Sequence, residues 1–452
     1  MANANPPFIF MHRILTVLLS TMTLAAAQEK LRTIVETDAG GDPDDEQSLV
    51  RFFLYTNEWD VDAIITNRRD ARDGENLNPI RKGPAITAHF VDVYGQVRPR
   101  LVENAPGYPE TASLKARTVS GCQDTDAGMN LLIAAVDRDD PRPIWYQNWG
   151  TDGGSDLSNL RRALDKVLAE RGPEGYAKFK NKILLSSDDQ FGDHTFKIAP
   201  PFRLWVHTTW PIMNKTRWYH RFGALTAKAG GFDIKRDCRT GHGPLGALYP
   251  LNTTHTQKEG DTSYFLNLIP TGMNDPMQPG WGSWGGRFGL RDGDEPKVPT
   301  YYWANVTDTW QGKTNRDNIL ARWAADLQND FRARLDWCVK PFAEANHAPV
   351  AVLNGDTTKK ILTIPCQAGE RTVLNSAGSS DPDKNDLRYE WFTYPEAGTY
   401  SGAVTLEDAD TPACRVKVPA DAAGKTIHVV LTVRDAGDPP LASYRRAIIK
   451  AE

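Results

Sequence analysis

Two hydrophobic periods alternate along most of the chain. Thr33-Ile34-Val35-Glu36-Thr37 reads as a buried strand running into a turn, and Glu46 to Tyr55 follows with helical periodicity. The pattern then predicts strands at 61–66, 143–148, 182–187 and 202–206. Helices are predicted at 84–94, 126–136 and 157–168, with a polar loop running up to Ser120. Ser263 to Ile269 is an apolar segment, and a single long helix is predicted from Asn315 to Val339, with Trp323, Leu327, Phe331 and Leu335 along its apolar stripe. Strands alternating with helices predict an α/β fold with a mainly parallel sheet in three layers. From Val350 the pattern changes to short strands only (371–374, 387–393, 415–418, 427–434, 444–449), as in an immunoglobulin-like β-sandwich. Pro341 to Pro349 reads as the linker.

Length agrees with two cores, since 452 residues exceed what one domain ordinarily needs. A net charge of -4 without a basic run argues against a nucleic-acid or anionic-membrane binder. At the N-terminus, His12-Arg13, the apolar run Ile14 to Leu24 and Ala25-Ala26-Ala27 form a secretory signal, cut after Ala27. The expected organisation is therefore a leader at 1–27, an α/β domain at 28–345 and a β-sandwich at 346–452, in a secreted or periplasmic protein. No later stretch is apolar enough to cross a membrane. Five cysteines are present, and Cys366 and Cys414 are the pair expected to bridge if any do.

The chemistry concentrates where the first strand ends. Glu36, Asp38, Asp42, Asp44 and Asp45 fall within ten residues, interleaved with Gly40 and Gly41. A turn beyond the carboxyl end of a strand is where open α/β sheets bind ligands. Carboxylates so crowded repel unless a cation sits among them, and Ca²⁺, which takes six to eight oxygen ligands, suits the set. Capping of the following helix accounts for one or two of the acids but not for Asp38 or Glu36.

This stretch resembles the N-terminal Asp-x-Asp-x-Gly-x-Asp-Asp signature of the nucleoside hydrolases. Glu36 stands at the first acid, Asp38 at the second, Gly40 at the glycine and Asp44-Asp45 at the closing pair. Glu36 replaces an Asp, and two extra residues separate Gly40 from Asp44, which makes Asp42 a further candidate ligand. The mature chain as a whole resembles a secreted nucleoside-hydrolase-like family described as cellulose-binding. Its C-terminal part is similar to PKD-type modules through Ser379-Ser380-Asp381-Pro382-Asp383 and Tyr389-Glu390-Trp391.

The resemblance implies a calcium site of Asp38, Asp42, Asp44, Asp45 and a late acid, Asp261, with Asp38 as general base for cleavage of an N- or O-glycosidic bond. It also implies a backbone carbonyl ligand near Trp149 to Thr151. Candidate substrate contacts are Asn148 and Asp188 at strand ends, Glu259 beside Asp261, and Trp281 and Trp284 in the loop Trp281-Gly282-Ser283-Trp284-Gly285-Gly286, where aromatic faces would stack on sugars. Helix capping by Asp261 and simple packing by the tryptophans stand as the alternatives. Asp381, Asp383 and Asp386 fit an Asx-rich turn or a second calcium. The expected partner is a carbohydrate or nucleoside substrate, and homo-oligomers are common in the resembled enzymes. The rival expectation is a non-catalytic carbohydrate-binding protein on the same fold.

Overall fold

The computed structural model describes Met1 and residues 29–150, 158–187, 191–195, 197–207, 232–251, 257–290, 300–304 and 306–452. The expected leader, apart from Met1, and Asp188 lie outside these. Strands β1 (Leu31–Thr37), β2 (Trp59–Thr66), β3 (Thr118–Ser120), β4 (Ile144–Asn148), β5 (Ile183–Ser187), β6 (Trp205–His207), β7 (Gly289–Leu290) and β8 (Tyr301–Trp303) form one sheet in the order β3-β2-β1-β4-β5-β6-β8-β7. Every pair is parallel except β7–β8. β1 is central and buried on both faces, which explains its near-continuous apolar run. Ile34 faces one core with Ile65, Tyr146 and Leu185, whereas Val35 faces the other with Ile64, Trp145 and Leu184.

Helices α1 (Asp44–Leu54) and α2 (Gly83–Asn104) cover the Val35 face. On the Ile34 face lie α4 (Ala127–Asp137) and α5 (Asn159–Asn181), and α3 (Thr111–Ala116) leads into β3. The three-layer α/β arrangement is thus the one expected. The differences are local. The polar loop contains β3, which pairs with the end of β2. α2 runs ten residues past its expected end at Tyr94, through Gly95 and Pro99, because Val97 and Leu101 are buried in the core. The long helix expected at 315–339 is two pieces, Asn318–Ala321 and Ala324–Asp336, preceded by a hairpin of β9 (Asp308–Trp310) and β10 (Lys313–Asn315).

The C-terminal strands form two sheets. β11 (Leu362–Cys366), β17 (Ala442–Ala451), β16 (Thr426–Arg434) and β13 (Arg388–Thr393) make one, and β12 (Arg371–Asn375), β15 (Ala413–Lys417) and β14 (Thr405–Glu407) the other. Trp391, Val416 and Leu431 meet between them. Cys366 and Cys414 lie on opposite sheets and both are free thiols, as are Cys122, Cys238 and Cys338, so the expected bridge is not formed. Asp381 accepts the backbone N–H groups of Asp383 and Asn385, the Asx-turn reading of that segment.

The sandwich is welded to the α/β domain. Tyr394, Val430, Ala442 and Tyr444 belong to the same apolar core as α1 and α2. Asp326 accepts from Tyr444 Oη at 2.5 Å and pairs with Arg434 at 2.9 Å, and Tyr394 Oη donates to Asp308 at 2.5 Å. The Trp-Gly loop lies in this junction. Trp284 is only 3 % exposed, its indole N–H 3.4 Å from Tyr444 Oη. Trp281 remains half-buried with its ring edge-on to His428, and Gly282, at φ 85°, is close enough to Tyr394 that a Cβ would stand 2.8 Å from its hydroxyl.

Candidate functional site

The turn between β1 and α1 is held by backbone. Gly41 N–H donates to the Asp38 carbonyl at 2.9 Å, and Gly40, at φ 99°, adopts a conformation that suits glycine. α1 begins at Asp44 without a side-chain cap, and Asp44, Asp45 and Glu46 fill its first turn, where negative charge complements the helix dipole. Carboxylate oxygens of Asp42, Asp44 and Asp45 converge to within 4.8 Å of one another, the one group of three or more such ligands found among the described residues. Asp44 Oδ1 is buried and has no hydrogen-bond partner among the described residues.

Electrostatics of the turn are those of charges forced together. Burial, then the hydrogen bond and charge of Asp42 and the charge of Asp38, push the Asp44 carboxyl well above its ordinary value. Asp45 is likewise raised by burial and by the charges of Asp261, Asp38 and Asp44. For Asp42, burial is outweighed by the hydrogen bond to Asp44 and by Lys258 and Arg72, and its carboxyl is lowered. Lys258 Nζ stands 3.6 Å from Asp42. Asp38 and Asp261 thus lie near the group without belonging to its tight set, each acting on Asp45.

Asp45 Oδ1 accepts from Thr37 Oγ1 and, at 3.1 Å, from the Asp38 backbone N–H, which ties α1 back to the strand end. The Asp38 side chain is 14 % exposed, with Oδ2 3.2 Å from Arg68 Nη2. Its Oδ1 faces Gly150, where a Cβ would come within 2.7 Å. Only a glycine lets the turn after β4 approach that closely. Asn148 is fully buried and accepts the Gly150 N–H at 2.8 Å, so it shapes this turn from within.

Glu36 is a hub. It accepts from Asn67 Nδ2 at 2.9 Å, Tyr146 Oη at 2.5 Å, and the Asn159 backbone N–H and Nδ2 at 3.0 Å. Burial raises its pKa despite these four donors. Asn67 also donates to the Gly150 carbonyl at 2.8 Å, so Glu36 acts on the turn facing Asp38 through one intermediary. Glu259, fully buried at φ 44°, pairs with Arg51 at 2.5 Å and accepts from Tyr249, Gln257 and Thr262. Its carboxylate is thus engaged within the core. Asp42, Asp44 and Asp45 converge at one turn with Asp38 and Asp261 near them, Asn148 and Glu259 support it from inside, and Trp281 and Trp284 lie at the domain junction. Arg68 and Asn67 were visible at the end of the second strand but carried no motif that assigned them to the site.

Residues 32–288 match the family described as cellulose-binding Sde182, nucleoside hydrolase-like domain, and residues 371–451 match the C-terminal domain of the cellulose-binding protein Sde0182. No curated protein matches the chain. Among solved structures, a nucleoside hydrolase-related hypothetical protein from Saccharophagus degradans, associated with carbohydrate metabolism, is 31 % identical with a TM-score of 0.74, covering 94 % of this chain and 100 % of that one. The PKD domain from the KIAA 1837 protein is 27 % identical over 21 % of this chain and 80 % of its own, at a TM-score of 0.15. With more than half of its length matched and this relative spanning nearly all of it, the chain belongs to the cellulose-binding Sde182 family, a nucleoside hydrolase-like domain followed by that family's C-terminal domain.

Proposed function

We propose that the protein is a secreted, calcium-dependent hydrolase of N- or O-glycosidic bonds in a carbohydrate or nucleoside substrate, with its reaction centre at the β1–α1 turn. The observation that carries this reading is the carboxylate triad, with Asp44 and Asp45 buried, Asp42 half-buried, and Asp44 Oδ1 lacking a hydrogen-bond partner among the described residues. Buried carboxylates this close are costly without a cation between them. The donors are all hard oxygens, the set that Ca²⁺ takes and soft-metal sites lack. Asp42, Asp44 and Asp45 would hold the ion, with Asp38 and Asp261 beside them. Calcium in that seat would supply Lewis acidity and coordination for a sugar's vicinal hydroxyls.

The remaining roles belong to the chain itself. Asp38 accepts the proton of the attacking water through Oδ1, while Arg68 anchors Oδ2 and fixes the carboxylate plane. Thr37 and the Asp38 backbone N–H orient Asp45. Asn148 and Asn67 hold the Gly150 turn against Asp38, keeping the base from rotating away.

A second reading, a non-catalytic carbohydrate binder, is favoured by the same Arg68. The guanidinium already occupies Asp38 Oδ2 at 3.2 Å, an ion pair that a binding site for hydroxyls tolerates. Asp38→Asn separates the two. For a hydrolase, turnover on a glycoside or nucleoside panel is expected to fall about 10²–10⁴-fold with calcium binding kept. Wild-type protein that binds oligosaccharide but turns over no member of the panel would establish the binder.

A further inference from the structure

A cleft of about 320 Å³ opens beside the start of α1, between the segment 76–80, α2 and the segment 239–251. None of Asp42, Asp44 or Asp45 lines it, although Pro43, which sits between two of them, does. Its size falls at the lower end of the roughly 300–1,000 Å³ of small-molecule sites.

The lining has two characters. Ile80, Leu248, Pro250 and Leu251 give aliphatic walls, and Leu77, 69 % exposed, stands at the rim. Among them project five planar polar groups, those of Glu46, Asn76, Asn78, His89 and Arg239. The cleft is braced from below, because the buried Glu46 carboxylate accepts from Asn76 at 2.6 Å and Asn78 at 2.7 Å, and Arg239 donates to the Tyr249 carbonyl. His89, half-buried, makes no hydrogen bond to any described residue and so offers ring nitrogens to whatever enters. Planar amide, carboxylate, guanidinium and imidazole groups present donors and acceptors side by side, which matches adjacent hydroxyls. Aliphatic walls match the C–H faces between them. A purely apolar ligand would leave the His89 ring nitrogens unpaired, and a bare ion would leave the walls unfilled.

We propose that this cleft binds the end of a gluco-oligosaccharide, one or two pyranose rings, at a site separate from the acidic turn. The proposal rests on the carbohydrate reading above and adds a second place for sugar rings beside the acidic turn. Sugar C–H faces lie on Leu77, Ile80 and Leu248, and His89 and Arg239 take ring hydroxyls.

The test is calorimetric titration of cellotetraose into the full chain, with His89→Ala/Leu77→Ser and Asp44→Ala compared with wild type. The cleft pair are a partnerless side chain and an exposed one, so thermal unfolding should be unchanged. Losing one hydrogen bond and one apolar contact is expected to weaken cellotetraose about tenfold. Asp44→Ala should leave that affinity within about twofold while calcium binding is lost. Unchanged affinity in the cleft variant, or no wild-type binding of cellotetraose, overturns the cleft. Binding lost only in Asp44→Ala also overturns it, placing the sugar on the acidic turn and leaving the function reading intact. Absence of calcium binding, with cellotetraose still weakened by the cleft variant, upholds the cleft and removes the calcium-dependent mechanism.

Discussion

Alanine at Asp44 is expected to abolish calcium binding, with an affinity loss beyond the roughly 10–100-fold typical of groups that merely orient metal ligands. Asp44 Oδ1 is buried and has no hydrogen-bond partner among the described residues, so its removal takes away a ligand and breaks no hydrogen bond seen for that atom. Calorimetric titration into chelator-treated wild type and variant reads the result directly. Equal affinity in the two proteins would place the ion elsewhere. A pH series in chelator adds a signed check. Asp44 and Asp45 have folded-state pKa values raised well above the ordinary 3.8, mainly by burial and then by neighbouring carboxylates. A carboxyl raised on folding binds its proton more tightly in the folded state. Its contribution is therefore fully present below the unfolded value near 3.8 and is lost as pH rises through the folded value. Chelated wild type should lose stability from about pH 4 towards neutrality relative to Asp44→Asn, and calcium should reverse the trend by holding the acids ionised. A gap between the two proteins that does not change with pH would show that Asp44 is not under this strain.

The β1–α1 turn was legible because all its determinants are local. An apolar run, a glycine pair and an acid burst lie within a dozen residues, and strand-then-helix periodicity places them beyond a strand's carboxyl end. Glu36 was ambiguous for the opposite reason. Its partners Asn67, Tyr146 and Asn159 lie 31, 110 and 123 residues away, brought in by crossover connections that leave no spacing to read. α2 shows tertiary packing overriding local signals, since Gly95 and Pro99 read as a stop while burial of Val97 and Leu101 keeps the helix going. The Trp-Gly loop was conspicuous by composition, yet composition cannot tell a ring stacked on a ligand from one packed on Tyr444, because both use the same apolar area. The cleft beside α1 was invisible: its five polar residues come from four separate segments, and none sits in a motif.

Glu259→Ala is expected to cost about 3–5 kcal/mol of unfolding free energy, the penalty for breaking one half of a fully buried ion pair. Arg51 lies in α1, stacks over Phe331 at 3.7 Å and donates to Gln328 at 2.7 Å, so it is locked in place when its counter-charge disappears. Burial opposes the Arg51 charge, and Glu259 beside it is what keeps that guanidinium above its ordinary pKa. The same carboxylate holds Tyr249, Gln257 and Thr262 around the turn that carries Asp261. Replacing both partners, as in Arg51→Met/Glu259→Met, should be less damaging than the single change, since no charge is then stranded in the core. Urea unfolding of the three proteins measures the order. Were Glu259 a substrate ligand rather than a strut, Glu259→Ala would unfold with wild type and lose only ligand affinity. The buried geometry instead predicts that stability falls first, and that calcium affinity falls with it because Asp261 loses its support.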